Sequence, residues 1–229
     1  MPTVLLVRHG VTAANVGGTL AGWTPGVDLD DTGREQARAL ASRVASIPVA
    51  AIATSPLERC QQTAAAIAAG REVSVEVDER LGEAKYGDWT GQSLKTLAKD
   101  KLWRVVQAHP SAARFPAGES LAELSARAVA AIRERNAALD DGATWLAVSH
   151  GDVIKAIVAD ALGVHLDMFQ RIVIDPCSLT VVRYTELRPF VLRLNDTGDL
   201  SGLLPPKRKG RRVKASSDAV VGGGAGAQP

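Results

Sequence analysis

The sequence predicts a layered α/β domain on a mainly parallel β-sheet. Short apolar runs recur along the chain without polar alternation, as expected of strands covered on both faces. Segments of helical spacing separate these runs, and capping signatures stand where several of the helices begin. Strands that alternate with helices pack as layers around one core, and 229 residues suffice for one good core rather than two large domains.

The first strand, residues 3–7, is the run TVLLV, and it stops at Arg8-His9-Gly10. Thr32-Gly33-Arg34-Glu35 reads as a capping box that opens a helix to about residue 46. A second strand, 49–54, leads into Ser55-Pro56-Leu57-Glu58, a second capping signature with proline at the tolerated first helical position, and a helix to about residue 69. The third strand is 73–77. Residues 87–118 are the least regular part, read as an insertion over one sheet face with one helix at about 94–106 and a loop through Pro110 and Pro116. Apolar residues at three- and four-residue steps predict a helix over 119–139. Strand 144–149 and helix 152–162, ended by Gly163, come next, and strands 178–184 and 190–194 complete the domain at 1–204. The tail, 205–229, has a disorder composition: Pro-Pro, a basic cluster and a Gly/Ala-rich end.

Composition narrows the function classes. Hydrophobic content of 46% with 23% charge is that of an ordinary water-soluble protein. No run approaches the roughly 18 apolar residues that span a membrane, so a membrane partner is not expected and the default address is cytoplasmic. Cys60 and Cys177 read as reduced, buried thiols, and the four histidines fit no zinc spacing, so neither metal nor cofactor is expected. The formal charge of +2 belongs to the tail, where Lys207, Arg208, Lys209, Arg211, Arg212 and Lys214 stand against Asp218 and leave the body mildly acidic. That cluster could attract nucleic acid, but a solvated tail of no assigned role is the commoner outcome, and its removal after residue 204 is expected to leave catalysis intact.

The chemistry gathers at strand ends. In open α/β sheets ligands bind beyond the carboxyl ends of the strands. There the strands deliver Arg8 and His9, Ser55 and then Arg59, and His150 with Gly151 and Asp152. Clustering two imidazoles and two guanidinium groups is costly unless an anion fills the space. Arg59 falls in a first helical turn, where the macrodipole disfavours a cation, so it makes sense sharing a bound oxyanion with the helix N-terminus. Forked guanidinium donors suit phosphate.

Arg8-His9-Gly10, Ser55-Pro56-Leu57-Glu58-Arg59 followed by Gln62-Thr63-Ala64, Glu83 ahead of Gly87-Asp88-Trp89-Thr90-Gly91, and Ser149-His150-Gly151-Asp152 stand in that order over about residues 1–195. Together they resemble the histidine phosphatase superfamily, which contains the cofactor-dependent phosphoglycerate mutases. The stretches LAGWTPGVDLD and LWRVVQAHPSAARFPAGESL are similar to actinobacterial members labelled probable phosphomutases. The resemblance implies a three-layer α/β/α sandwich of the phosphoglycerate mutase-like kind. It implies His9 as the nucleophile that becomes a phosphohistidine, Glu83 as proton donor to the leaving group, and His150 as the third catalytic residue. Arg8, Arg59, Asn15, Gly151 and Thr12 are implied around the phosphate, with Asp152 read as a helix cap. A small phosphorylated substrate follows, and a homo-oligomer is compatible with the family.

Phosphatase and mutase share these residues. The mutases carry adjacent arginines between the acid and the second histidine, whereas residues 92–118 offer Lys95, Lys99, Lys101, Arg104, His109 and Arg114 with no adjacent pair. The expectation is therefore a metal-independent phosphomonoester phosphatase, with a phosphomutase as the alternative and a phosphate-binding pseudoenzyme behind both. Trp23, Trp89, Trp103 and Phe115 are candidates for an apolar wall beside the site or for core packing, and Lys85 or Arg114 for a contact with a substrate anion.

Overall fold

Residue by residue, strand β1 (Thr3–Arg8) sends Val4 and Leu6 to one side of the sheet and Leu5 and Val7 to the other, and all four are buried. That two-sided burial is why the run lacks polar alternation. The computed structural model describes residues 1–198 together with Gly222 and Gly224. Apart from these two glycines, the tail at 205–229, basic cluster included, lies outside the described residues.

After β1 come a single turn, α1 (Ala13–Val16), and helix α2 (Asp31–Arg43). Strand β2 (Ile52–Thr54), helix α3 (Glu58–Ala68) and strand β3 (Val75–Val77) follow. Beyond a 3₁₀ turn at Glu79–Leu81, the insertion holds α4 (Leu94–Leu97) and α5 (Lys101–Ala108). Helix α6 (Leu121–Ala137), strand β4 (Thr144–Ser149), helix α7 (Gly151–Leu162) and strands β5 (Leu179–Arg183) and β6 (Phe190–Asp196) close the order.

The six strands form one sheet in the order β3-β2-β4-β1-β5-β6. β1, β2, β3 and β4 run parallel, β5 is antiparallel to β1, and β6 is antiparallel to β5, so the sheet is mixed. One face is covered by α2 and α3, with Leu40, Ala64 and Ile67 against Leu5, Val7, Leu146 and Val148. The larger core lies on the other face, where α6, α7 and the insertion bury Trp145, Ala147 and Leu6. Helix α7 is buried almost all round and ends on Gly163 in the left-handed conformation, at φ 65°.

Local signals were reassigned where tertiary partners compete for them. Asp30, not Thr32, caps α2, its Oδ1 accepting from Gly33 N–H at 2.7 Å. Helix α3 starts from Leu57 without a side-chain cap, while Ser55 Oγ accepts from Leu57 N–H at 3.3 Å and meets His150 Nε2 at 2.8 Å. The single helix expected at 94–106 is two, divided where Asp100 caps α5 through Leu102 N–H. Trp89, Trp103 and Phe115 belong to the core. Among the described residues no helix is long and apolar enough to cross a membrane.

One close approach fixes the end of β1. A Cβ on Gly10 would lie 2.5 Å from the carbonyl oxygen of Gly33, and one on Gly33 would lie 2.1 Å from that of Val11. Glycine follows His9 because the first turn of α2 passes against the backbone there. Gly33→Ala should therefore cost about 2 kcal/mol of stability, about 4–8 °C of melting temperature for a chain of this size. Thermal unfolding followed by circular dichroism checks this, and an unchanged melting temperature would show that the approach relaxes freely.

Candidate active site

β4 sits between β2 and β1, so three parallel strands end side by side. His9 N–H continues the ladder to the Ser149 carbonyl at 3.0 Å, and Ser55 N–H does so to that of Val148 at 3.0 Å. These bonds bring His9, Ser55 and His150 to one level. The two imidazole rings lie 5.1 Å apart, edge to face, and both residues are buried.

The tautomer of His9 follows from its bonding. Nδ1 lies 2.7 Å from the Gly10 carbonyl, which can only accept, so Nδ1 carries the proton and Nε2 keeps its lone pair. Burial, then Arg59, then Arg8 depress the His9 pKa well below its ordinary value, and the ring is neutral at pH 7. His150 is likewise depressed, by burial and then by Arg59. Arg59 Nη2 donates to His150 Nδ1 at 3.4 Å, which leaves Nε2–H to donate to Ser55 Oγ at 2.8 Å.

The guanidinium groups are fixed by carbonyls. Arg8 Nη1 donates to Ile174 O at 2.8 Å and Arg59 Nη2 to Gly22 O at 2.9 Å. Each keeps one buried nitrogen without a hydrogen-bond partner among the described residues: Nε of Arg8 and Nη1 of Arg59. A buried donor left unpaired costs about 1–3 kcal/mol, so two of them beside an imidazole mark a place for an anion. Burial also lowers the Arg8 pKa to about 10.

Glu83 reaches the site on a backbone held from three sides. Ser149 Oγ donates to Leu81 O at 2.6 Å, Trp23 Nε1 donates to Glu83 O at 2.6 Å, and Arg127 donates to the carbonyls of Arg80, Gly82 and Glu83. Arg127 is itself held by Glu119 at 2.7 Å. Glu83 Oε1 accepts from Ala84 N–H, and Oε2 lies 3.8 Å from His150 Nδ1. Burial first, and the nearby Asp152 second, push its pKa up to about 7.

His9, Thr12, Asn15, Arg59 and Glu83 line a cleft of about 400 Å³, counting the space open to solvent. Asn15 Oδ1 accepts from both N–H and Oγ1 of Thr12, so the group Asn15 has left for a ligand is its amide NH₂. Arg8, His150 and Gly151 are buried behind the cleft wall, Gly151 opening α7. Asp152 does not cap that helix. It is wholly buried and accepts from Tyr86 Oη, Lys155 Nζ and Gly222 N–H. Lys85 lies over the Trp23 ring and Arg114 pairs with Glu123, and neither lines the cleft. Both cysteines are free and buried, their pKa values raised to about 12.

The sequence places Ser55 at this strand end but not its bond to His150, and it gives no place in the site to Arg127 or to the two tail glycines. Arg127 left a signal, a cation three residues after Leu124 on the apolar stripe of α6. The tail left none.

A profile of the histidine phosphatase superfamily (branch 1) matches residues 4–197. A relative named "Probable phosphoglycerate mutase GpmB", from Cronobacter sakazakii, is 34% identical over 214 residues, covering 90% of this chain and 97% of that protein. Among solved structures, Bacillus stearothermophilus YhfR superposes with a TM-score of 0.81 at 28% identity, covering 86% of this chain and 98% of that one. A mycobacterial glucosyl-3-phosphoglycerate phosphatase, solved with VO3, gives 0.78 at 26% identity over 85% and 98% of the two chains.

The clamp that carries Glu83 gives a prediction. Arg127→Ala strips three carbonyls and the Glu119 pair at once, and should cost roughly 2–3 kcal/mol in urea unfolding. Arg127→Lys, which keeps the charge but loses the fork, should recover less than half of that. An unchanged urea midpoint for both would show that the loop holds without the clamp.

Proposed function

This chain belongs to the histidine phosphatase superfamily, and from that footing we propose that it hydrolyses phosphomonoesters through a phosphohistidine formed on His9. The observation that carries the reading is the neutral His9 ring, Nδ1–H tied to Gly10, set between two guanidinium groups that each keep a buried donor without a partner. An imidazole so held is a nucleophile with one nitrogen to offer, and the donors match oxygens of a transferring phosphoryl group.

In this reading Nε2 attacks phosphorus in line while the ester P–O bond breaks, and the Glu83 carboxyl gives its proton to the leaving oxygen. Water then attacks the phosphohistidine, the P–N bond breaks, and the Glu83 carboxylate takes a proton from that water. Inorganic phosphate leaves and the enzyme is restored. Arg8 and Arg59 neutralise charge on the equatorial oxygens, so the chain itself supplies the cations and a metal is not needed. His150 joins them by changing tautomer. Its Nδ1, facing Arg59 and Glu83, becomes the donor to a phosphoryl oxygen, and Nε2 accepts instead from the Ser55 hydroxyl, which can serve in either direction. Asn15, through its NH₂, and Thr12 complete the phosphate environment from α1, and Gly151 does so through its N–H at the start of α7.

Hydrolysis is favoured over mutase chemistry by the cleft wall. Among the described residues lining it, Arg59 is the one permanent cation, and Ala14, Leu20, Ala21 and Leu94 make up much of the rest. A phosphoglycerate has a carboxylate to hold as well as a phosphate, and this wall offers it no second cation. The substrate class is accordingly a small phosphomonoester without a second anionic group. The two buried free thiols suit a cytoplasmic address.

His9→Ala should retain the fold, form no acid-labile phosphoenzyme and lose on the order of 10⁴-fold or more in kcat. The enzyme should release phosphate from a generic phosphomonoester faster than it interconverts phosphoglycerates, and the reverse order would sink the phosphatase reading. The pH profile follows from Glu83 and His9. The acid must be protonated, so kcat/KM should fall as pH rises through about 7, while neutral His9 limits the rate only well below its ordinary pKa. Glu83→Gln should lower kcat by about 10²–10⁴-fold and abolish the alkaline limb. A limb that survives in this variant would assign it to another group.

A further inference from the structure

Gly222 and Gly224 stand more than two hundred residues from β1, yet both line the cleft and both bond to Arg8. Arg8 Nη2 donates to Gly224 O at 2.6 Å and to Gly222 O at 3.4 Å, while Gly222 N–H donates to Asp152 Oδ2 at 3.0 Å. Peptide groups thus lie between a buried guanidinium and a buried carboxylate, each end matched to the charge it meets. With Nη1 on Ile174 O, three carbonyls fix the Arg8 guanidinium, and among the described residues Nε is left without a partner. The contact therefore orients Arg8 without using the nitrogen a phosphoryl oxygen would take.

The fit requires glycine. Gly222 has φ 70°, and a Cβ there would stand 3.0 Å from Leu20 Cδ1 and 3.4 Å from Tyr86 Oη. Leu20 and Tyr86 are themselves cleft residues, so these glycines close the cleft beside its apolar wall.

We propose that the backbone of Gly222 and Gly224 is a positioning and specificity element of the phosphoryl site, a strap that sets Arg8 and limits the cleft to small, uncharged leaving groups. This rests on the phosphatase reading and adds to it a segment that the sequence places outside the catalytic unit. It also reverses the expectation that residues after 204 are dispensable for catalysis.

The test uses the full chain. In Gly222→Val, kcat/KM for glycerol 1-phosphate should fall about tenfold or more while that for 1-naphthyl phosphate holds or rises, a selectivity change of at least tenfold. Gly222→Ala should lie between, and far-UV circular dichroism should show both variants folded. By NMR, the Gly222 amide of the unsubstituted protein should exchange about 100-fold more slowly than a free-chain glycine. Free-chain exchange, or equal effects on the two substrates, would overturn the proposal. If the unsubstituted protein hydrolyses neither ester, the phosphatase reading fails on its own. The strap is then read from orthovanadate affinity, where about tenfold weaker binding in Gly222→Val supports it and equal binding overturns it.

Discussion

Positive charge buried at the carboxyl ends of three parallel strands is the constraint on which the rest of the site depends. Two guanidinium groups out of water are expensive, and the surroundings show the expense being offset group by group. Carbonyls of Ile174 and Gly22 satisfy part of each fork, both histidines stay neutral, and carboxylates at Glu83, Asp152 and Asp175 face Arg8. Among the described residues, what remains unsatisfied is one nitrogen on each arginine. The same field acts on Glu83. Burial and Asp152 raise Glu83 against the pull of Arg59 and Arg8, and the balance falls near neutrality.

Rigid mounts make this constraint tolerable. His9 and Ser55 are tied by backbone bonds to β4, and the Glu83 loop is tied to β4 through Ser149 and to α6 through Arg127. Central strand β4 therefore sets the relative positions of His9, Ser55, His150 and Glu83. The long apolar runs of β1 and β4 and the chemistry at their ends are two sides of one requirement: a strand buried on both faces holds its last residue where it is needed.

The sequence made the strands and the polar residues ending them legible, because both are written in contiguous residues. Arg8, His9, Ser55, Arg59 and His150 come together as their strand-end positions predicted, and Glu83, which only the family resemblance singled out, lies beside them. Less legible were features settled by partners far along the chain. Ser55 carries a helix-capping signature but bonds to His150, 95 residues away. Asp152 stands where a cap would stand but turns inward to Tyr86 and Lys155. The tail glycines read as low-complexity chain, since nothing local distinguishes a glycine that fits a cleft from one that fits nothing.

The packing of Gly10 on Gly33 bears on how such a protein can change. Neither position accepts a side chain while the other backbone stays in place, so the route to any different residue requires α2 to shift first. An engineer who wishes to move His9 has a handle in the register of that helix, some twenty-five residues downstream and outside the cleft lining. A library confined to the cleft wall would leave His9 where it stands.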